Sequence, residues 1–236
     1  MNKEIVTKAQ WHAYSALTTG LNHEKKGILC QDRVCCRASE TGQIIALADG
    51  ISQENLNIIG VEKVLEKLCA VFLRRDIDII NGTKDNIKRA VVMTVQREIE
   101  RLASDYHVKV SAFASTLLLF YIDLENKYYC AVHLGDGIII YKQGKEYRIL
   151  SYPENGPAKN QTCLTTSPYA YQHMKVMRGA ADGISEVGLL SDGTYEFPIL
   201  LPDAVSVLTR ATESPYNLLQ KMDDQGVILL RKDQMS

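Results

Sequence analysis

Hydrophobic and polar positions follow two different periods along this chain. Trp11–Leu17 and Val34–Ser39 are short β-compatible runs, and Gln43–Ala48 is an apolar run that ends in Asp49-Gly50. The period then lengthens. Ile58, Val61, Val64 or Leu65, Leu68 and Phe72 recur at spacings of three and four, as do Ile87, Val91, Val95, Ile99 and Leu102. Two amphipathic helices are predicted, broken at Asn81-Gly82-Thr83 with Thr83 as the N-cap of the second, and packed as an antiparallel pair.

Beyond residue 112 the pattern returns to strands: Ala114–Ile122, Tyr128–Leu134, Ile138–Lys142 and Tyr147–Leu150, separated by Glu125-Asn126, Gly135-Asp136-Gly137 and Gly144-Lys145. Such short connections predict an antiparallel meander. Ser151–Pro168, with three of the six prolines, is expected to be a long surface loop. A strand at Val187–Leu190 enters Ser191-Asp192-Gly193, helices follow at Pro202–Ala211 and Pro215–Lys221, and Val227–Leu230 closes the chain as a strand. Neither a repeat nor a linker interrupts the 236 residues, so one domain over residues 1–236 is expected.

Charge narrows the function classes. With 27 Lys+Arg against 28 Asp+Glu, the net charge of −1 argues against nucleic acid and against a membrane surface as partners. The residues after Met1 carry no apolar h-region, and the longest apolar run, Leu117–Ile122, is strand-sized. Six cysteines are scattered without a C-x-x-C pair, which fits free thiols in a reducing compartment; a cytoplasmic protein is expected.

The candidate chemistry lies in acidic residues at strand ends. Asp32 precedes a strand, Asp49 and Asp192 end strands in Asp-Gly, Asp136 sits in Gly-Asp-Gly, and Asp223 precedes the last strand. Each Asp-Gly taken singly is explained by a turn. Layered strands, however, would crowd these carboxylates at one edge, where a hard cation such as Mg²⁺ or Mn²⁺ relieves their repulsion.

Their order is more specific than any single motif. Gly20-Leu21-Asn22-His23 and Cys30-Gln31-Asp32 are followed by Ala46-Leu47-Ala48-Asp49-Gly50 and Ala114-Ser115-Thr116-Leu117. After these come His133-Leu134-Gly135-Asp136-Gly137, Leu190-Ser191-Asp192-Gly193 and Asp223-Asp224-Gln225-Gly226-Val227. Over residues 12 to 230 this succession resembles the metal-dependent protein phosphatases of the PPM family (type 2C), in their compact bacterial form. The resemblance implies an α+β fold, a four-layer α-β-β-α sandwich of two antiparallel sheets flanked by helices.

It also implies a site with two Mn²⁺ or Mg²⁺ ions, and a third in some members. Asp49 corresponds to the carboxylate bridging two ions and Gly50 to a carbonyl ligand. Asp192 and Asp223 correspond to the ligands of the second ion, Asp223 being preferred to Asp224. Asp32 stands beside that site, and Asp136 with Glu196 at a looser third ion, where Glu196 replaces the usual aspartate. A water between two cations would then attack the phosphorus of phosphoserine or phosphothreonine, without a protein nucleophile.

Two departures from the family pattern stand out. A phosphate-gripping arginine is replaced by Gly27, which leaves His23, Lys25 or Lys26 as substitutes, and a histidine after Asp-Gly is replaced by Ile51. The expected activity is a serine/threonine protein phosphatase, with a phosphorylated protein as substrate and a cognate kinase as counterpart. The alternatives are a phosphatase-like binding or scaffold module with little turnover, and a metal-dependent phosphatase of a small phosphometabolite. Among other residues, His133 is expected to be a hydrogen-bonded structural histidine, Trp11 core, Ser115-Thr116 packed within a strand, and Cys35-Cys36 packing with some redox sensitivity.

Overall fold

A computed structural model describes residues 5–6, 11–51, 55–154, 162–195, 201–213 and 221–233. The elements in chain order are β1 (Ile5–Val6), β2 (Trp11–Thr18), α1 (Leu21–Glu24), β3 (Asp32–Ala38), β4 (Gly42–Asp49), α2 (Asn55–Leu73) and α3 (Lys84–Asp105). These are followed by β5 (Leu117–Asp123), β6 (Tyr128–Leu134), β7 (Ile138–Gln143), β8 (Glu146–Ser151), α4 (Ala170–His173), β9 (Lys175–Ala180), β10 (Ile184–Leu190), α5 (Leu201–Glu213) and β11 (Gln225–Lys232). The expected helix over Pro215–Lys221 lies, apart from Lys221, outside the described residues.

The strands form two antiparallel sheets, one of six strands in the order β1-β2-β11-β10-β7-β8 and one of five in the order β3-β4-β5-β6-β9. Strand alternation sorts the apolar residues into three interior layers. On β4 and β5, Ile44, Ala46, Leu117, Leu119 and Tyr121 face the helices α2 and α3, while Ile45, Leu47, Leu118, Phe120 and Ile122 face the other sheet. There they meet Val187, Leu189, Ile228 and Leu230. Val227 and Leu229, on the opposite face of β11, pack with Val207 and Leu208 of α5. Helix, sheet, sheet, helix is the resulting stack, as the resemblance implies.

The helix pair forms as its periodicity predicts. Thr83 caps α3, its Oγ1 accepting from the Asn86 N–H at 3.1 Å. The first turns of α2 and the segment after α3 meet at residues 110–113, where Asn57 Nδ2 donates to the Ala112 and Ala114 carbonyls, so the two helices run antiparallel.

The continuous meander does not form. β5 and β6 belong to the five-stranded sheet, β7 and β8 to the six-stranded one, and Gly135-Asp136-Gly137 crosses between them. Both sheets need apolar cover on two faces, so the chain gains more by changing layers than by extending one sheet. Gly135 makes the crossing with φ +111, a backbone that side-chain-bearing residues rarely adopt. β9 has no counterpart in the sequence reading, because Lys175, Arg178 and Gly179 interrupt its apolar alternation.

Candidate active site

All five candidate aspartates stand at one end of the sandwich. Asp32 opens β3 and is the register partner of Asp49 at the end of β4. Asp192 follows β10 and Asp223 precedes β11, two strands paired at Leu190↔Val227. Asp136 lies in the crossing between the sheets. Their fields overlap: Asp49 feels Asp32, Asp192 and Asp136, and Asp192 feels Asp136 and Asp223.

Asp32 is fully buried. Its Oδ2 accepts from Ser191 Oγ at 2.7 Å, and Ser191 Oγ in turn accepts from the Gly226 N–H at 2.8 Å. The six-stranded sheet thereby holds a carboxylate of the five-stranded one. Only glycine suits position 226, since a Cβ there would lie 2.8 Å from Asp32 Oδ2. Among the described residues no N–H or hydroxyl donor reaches Asp32 Oδ1, and the Asp49 carboxyl lies beside that of Asp32.

Burial first, and the neighbouring carboxylates after it, push Asp32 up to about 7 and Asp192 up to about 6. Asp49 is raised well above the ordinary carboxylate range by burial, then by Asp32 and Asp192. A buried carboxyl crowded by a half-buried one is relieved by a shared proton or by a cation.

Neighbouring groups fix the rest. Thr116 Oγ1 accepts from the Asp49 N–H at 2.9 Å, and the Thr116 N–H donates to the Asp49 carbonyl. Ser115 pairs with Gly50 in an isolated bridge. Ser115-Thr116 is thus not strand packing, because β5 starts one residue later and leaves these polar groups free to hold the β4 terminus. Thr162 Oγ1 donates to Asp136 Oδ2 and Tyr195 OH to the Asp136 carbonyl. His133 is the structural histidine expected. Its Nε2 donates to the Gly135 carbonyl (2.9 Å), its Nδ1 accepts from Ser151 Oγ (2.6 Å), and burial pushes it down to about 4, so it stays neutral.

Asp223 and Asp224 have opposite environments. Asp224 is buried and accepts from the Gly20 N–H (2.7 Å), the Gln31 N–H (2.6 Å) and His23 Nδ1 (2.8 Å). Asp223 is exposed and takes the Asp224 N–H on Oδ1. Asp224 therefore ties the α1 segment to the site, and Asp223 has coordination capacity to spare. His23, the candidate phosphate group, reaches the site rim through Asp224. Gly27 is exposed, and the nearby Arg33 guanidinium donates to the Cys30 and Asp32 carbonyls. Glu196 lies outside the described residues.

Among the described residues, no three His, Cys, Asp or Glu side chains already close about one point as a metal cage. The donor set still fits hard divalent cations, since Mg²⁺ keeps several waters and is held by one or two carboxylates. The unpaired Oδ1 of Asp32, a carboxyl beside that of Asp49, is the observation that carries this fit.

A family profile described as "Protein phosphatase 2C" matches residues 19–227. The chain belongs to the protein phosphatase 2C family. Among proteins with curated descriptions, none matches it in sequence. This 2C-family chain shares its fold with solved structures of low identity. RsbX in complex with magnesium has a TM-score of 0.62 at 15% identity, covering 99% of this chain and 100% of the other. PppA, a regulatory component of the type VI secretion system in Pseudomonas aeruginosa, scores 0.65 at 16%, covering 95% and 98%. The S. agalactiae serine/threonine phosphatase scores 0.66 at 16%, covering 94% and 100%.

Sequence reasoning missed Ser191, Thr116, Thr162, Tyr195 and Asp224 as supporting groups. Ser191 and Tyr195 had a signal, being neighbours of the Asp192-Gly193 step. Thr162 had none, because only the tertiary fold brings it to Asp136.

Proposed function

We propose that this chain is a Mn²⁺- or Mg²⁺-dependent phosphoprotein phosphatase that hydrolyses phosphoserine and phosphothreonine, acting as one domain over residues 1–236 in the cytoplasm, opposite a serine/threonine kinase. The observation that carries the reading is the buried Asp32 beside the half-buried Asp49, with an unpaired carboxylate oxygen among three further carboxylates.

Asp49, the Gly50 carbonyl, Asp192 and Asp223 would hold two ions, with Asp32 beside them and Asp136 and Glu196 at a looser third. Two such ions would supply the acidity that turns water into a nucleophile and the charge that offsets the phosphoryl oxygens. The protein's own part is positioning: Ser191 orients Asp32, Thr116 holds Asp49, and Thr162 and Tyr195 hold the Asp136 turn. Burial, and after it Asp32 and Asp224, raise the Cys30 thiol and favour its protonated form, which fits a mechanism without a cysteine nucleophile.

One observation favours the second reading, a binding or scaffold module with little turnover: the Arg33 guanidinium, next in the chain to Asp32, turns its Nη1 to the Cys30 and Asp32 carbonyls. Turnover of a phosphothreonine peptide and of an aryl phosphate with Mn²⁺, compared with EDTA, separates the readings. Metal-dependent peptide hydrolysis is expected. Metal binding without turnover would favour the binding module, and turnover of small phosphates alone a metabolite phosphatase.

A further inference from the structure

A groove of about 540 Å³ runs between the first turns of α3 and the start of β9. Lys84, Asp85 and Lys88 line it from α3, His173 and Lys175 from the α4–β9 junction, and Glu154 from the chain after β8. One backbone bond joins this groove to the carboxylate site. The Glu154 N–H donates to the Gly135 carbonyl at 3.0 Å, and Gly135 is the residue before Asp136. His133 Nε2 donates to the same carbonyl, so the junction is held from both sides.

Both carboxylates of the groove already have partners. Asp85 accepts from Arg89 Nη2 at 3.1 Å and from Tyr171 OH. Glu154 takes Lys175 Nζ at 2.7 Å and His173 Nδ1 at 3.2 Å. Lys84 and Lys88 make no salt bridge among the described residues, so the groove carries an excess of cations. Lys88 is also placed: its Nζ lies 5.2 Å from the centroid of the Tyr171 ring, and the Arg89 guanidinium lies 5.8 Å from the same centroid. A cation held over a ring loses less freedom on binding than a free surface lysine does.

We propose that this groove receives an acidic segment of the phosphorylated protein, a few residues from its phosphoserine or phosphothreonine. The inference rests on the phosphatase reading of the carboxylate site and adds a substrate class to it. An extended peptide advances about 3.3 Å per residue, so a phosphoresidue held at the carboxylates brings its near neighbours to the groove. Aspartate or glutamate there pairs with Lys84 and Lys88, whereas lysine or arginine is repelled by them. Both lysines stand apart from the groups that would hold the ions. Their contacts are made equally before and during the reaction, so they act on KM and leave kcat alone.

The test gives the full chain with Mn²⁺ a set of phosphothreonine peptides that differ only in flanking residues, Asp, Asn or Lys, placed before or after the phosphothreonine. Fluorescence anisotropy reads binding of each peptide, and turnover gives KM and kcat. An acidic flank on one side should bind roughly three- to tenfold more tightly than its Asn counterpart, with the gain in KM alone and lost in high salt. The double variant Lys84→Glu/Lys88→Glu should abolish that preference and leave aryl phosphate turnover unchanged. Glutamate suits the first turns of a helix, so the variant is expected to fold. Equal binding of acidic and Asn peptides overturns the proposal, and so does an acidic preference that survives in the folded double variant. Equal capture of a single-stranded oligonucleotide of the same charge would also overturn it. If neither peptide nor aryl phosphate is hydrolysed, the phosphatase reading fails, while the anisotropy still decides whether the groove selects acidic chains.

Discussion

The five-stranded sheet buries an aspartate at each of its two ends, and the two are handled in opposite ways. Asp123, at the end of β5, is 1% exposed. Its carboxylate accepts from the Glu125 and Asn126 N–H groups, from Asn126 Nδ2 and from Arg75 Nη2. Arg75 reaches it from a left-handed backbone, φ 59. Asp32, at the start of β3, is equally buried but has one hydroxyl donor, one bare oxygen and carboxylates as neighbours. Burial of a carboxylate is therefore no functional signal in itself. The sign of the groups around it decides whether it closes a turn or waits for a cation.

The comparison can be broken experimentally, and the largest effect is expected at Asp49. Asp49→Asn should lower metal-dependent turnover by at least roughly a hundredfold, the upper end of what perturbing a metal-site shell costs. The metal-free fold should not be weakened, since a repulsive charge is removed. Turnover kinetics with melts in EDTA read both, and unchanged activity would show that the site is misplaced.

Ser191→Ala should raise the Mn²⁺ concentration needed for half-activation by roughly tenfold or more, because Asp32 loses its orienting hydroxyl. Asp123→Ala at the other end should cost about 1–3 kcal/mol of stability in urea melts, by leaving the turn amides without their acceptor and Arg75 with Glu125 alone, while metal-dependent activity persists. Lost activity with intact stability there would erase the distinction between the ends.

The smallest effect is one of sign. Asp32 and Asp192, raised from 3.8 to about 7 and about 6, bind more protons folded than unfolded. Their contribution is present at low pH and is lost as pH rises through those values, so they make metal-free stability fall between about pH 4 and 7. His133, lowered from 6.5 to about 4, acts oppositely: its contribution is full above 6.5 and is lost towards 4. Melts of His133→Gln in EDTA should show the carboxylate slope alone, and Mg²⁺ should flatten it. A metal-free stability that rises with pH in that variant would overturn the electrostatic picture.

Much of the fold was legible because two periodicities are local properties. The spacing of Ile58 to Phe72 and of Ile87 to Leu102 suffices for two helices, and Tyr128–Leu134 is predicted to the residue. β9 was not legible, because a strand covered by α3 and pinned by β6 does not need clean alternation of its own. The sheet change at Gly135-Asp136-Gly137 was also hidden, since a hairpin turn and a crossing between layers call for the same residues.

The site divides along the same line. Which carboxylates stand at strand ends is a local matter, because aspartate and glycine stop strands through backbone chemistry acting over two or three residues. Packing of the two sheets settles which of those carboxylates meet, that Asp224 is consumed by Gly20, Gln31 and His23 while Asp223 is left exposed, and that one oxygen of Asp32 lies bare beside Asp49. Hydrogen-bond saturation and like-charge crowding depend on groups up to two hundred residues apart in the chain, and no local pattern encodes them.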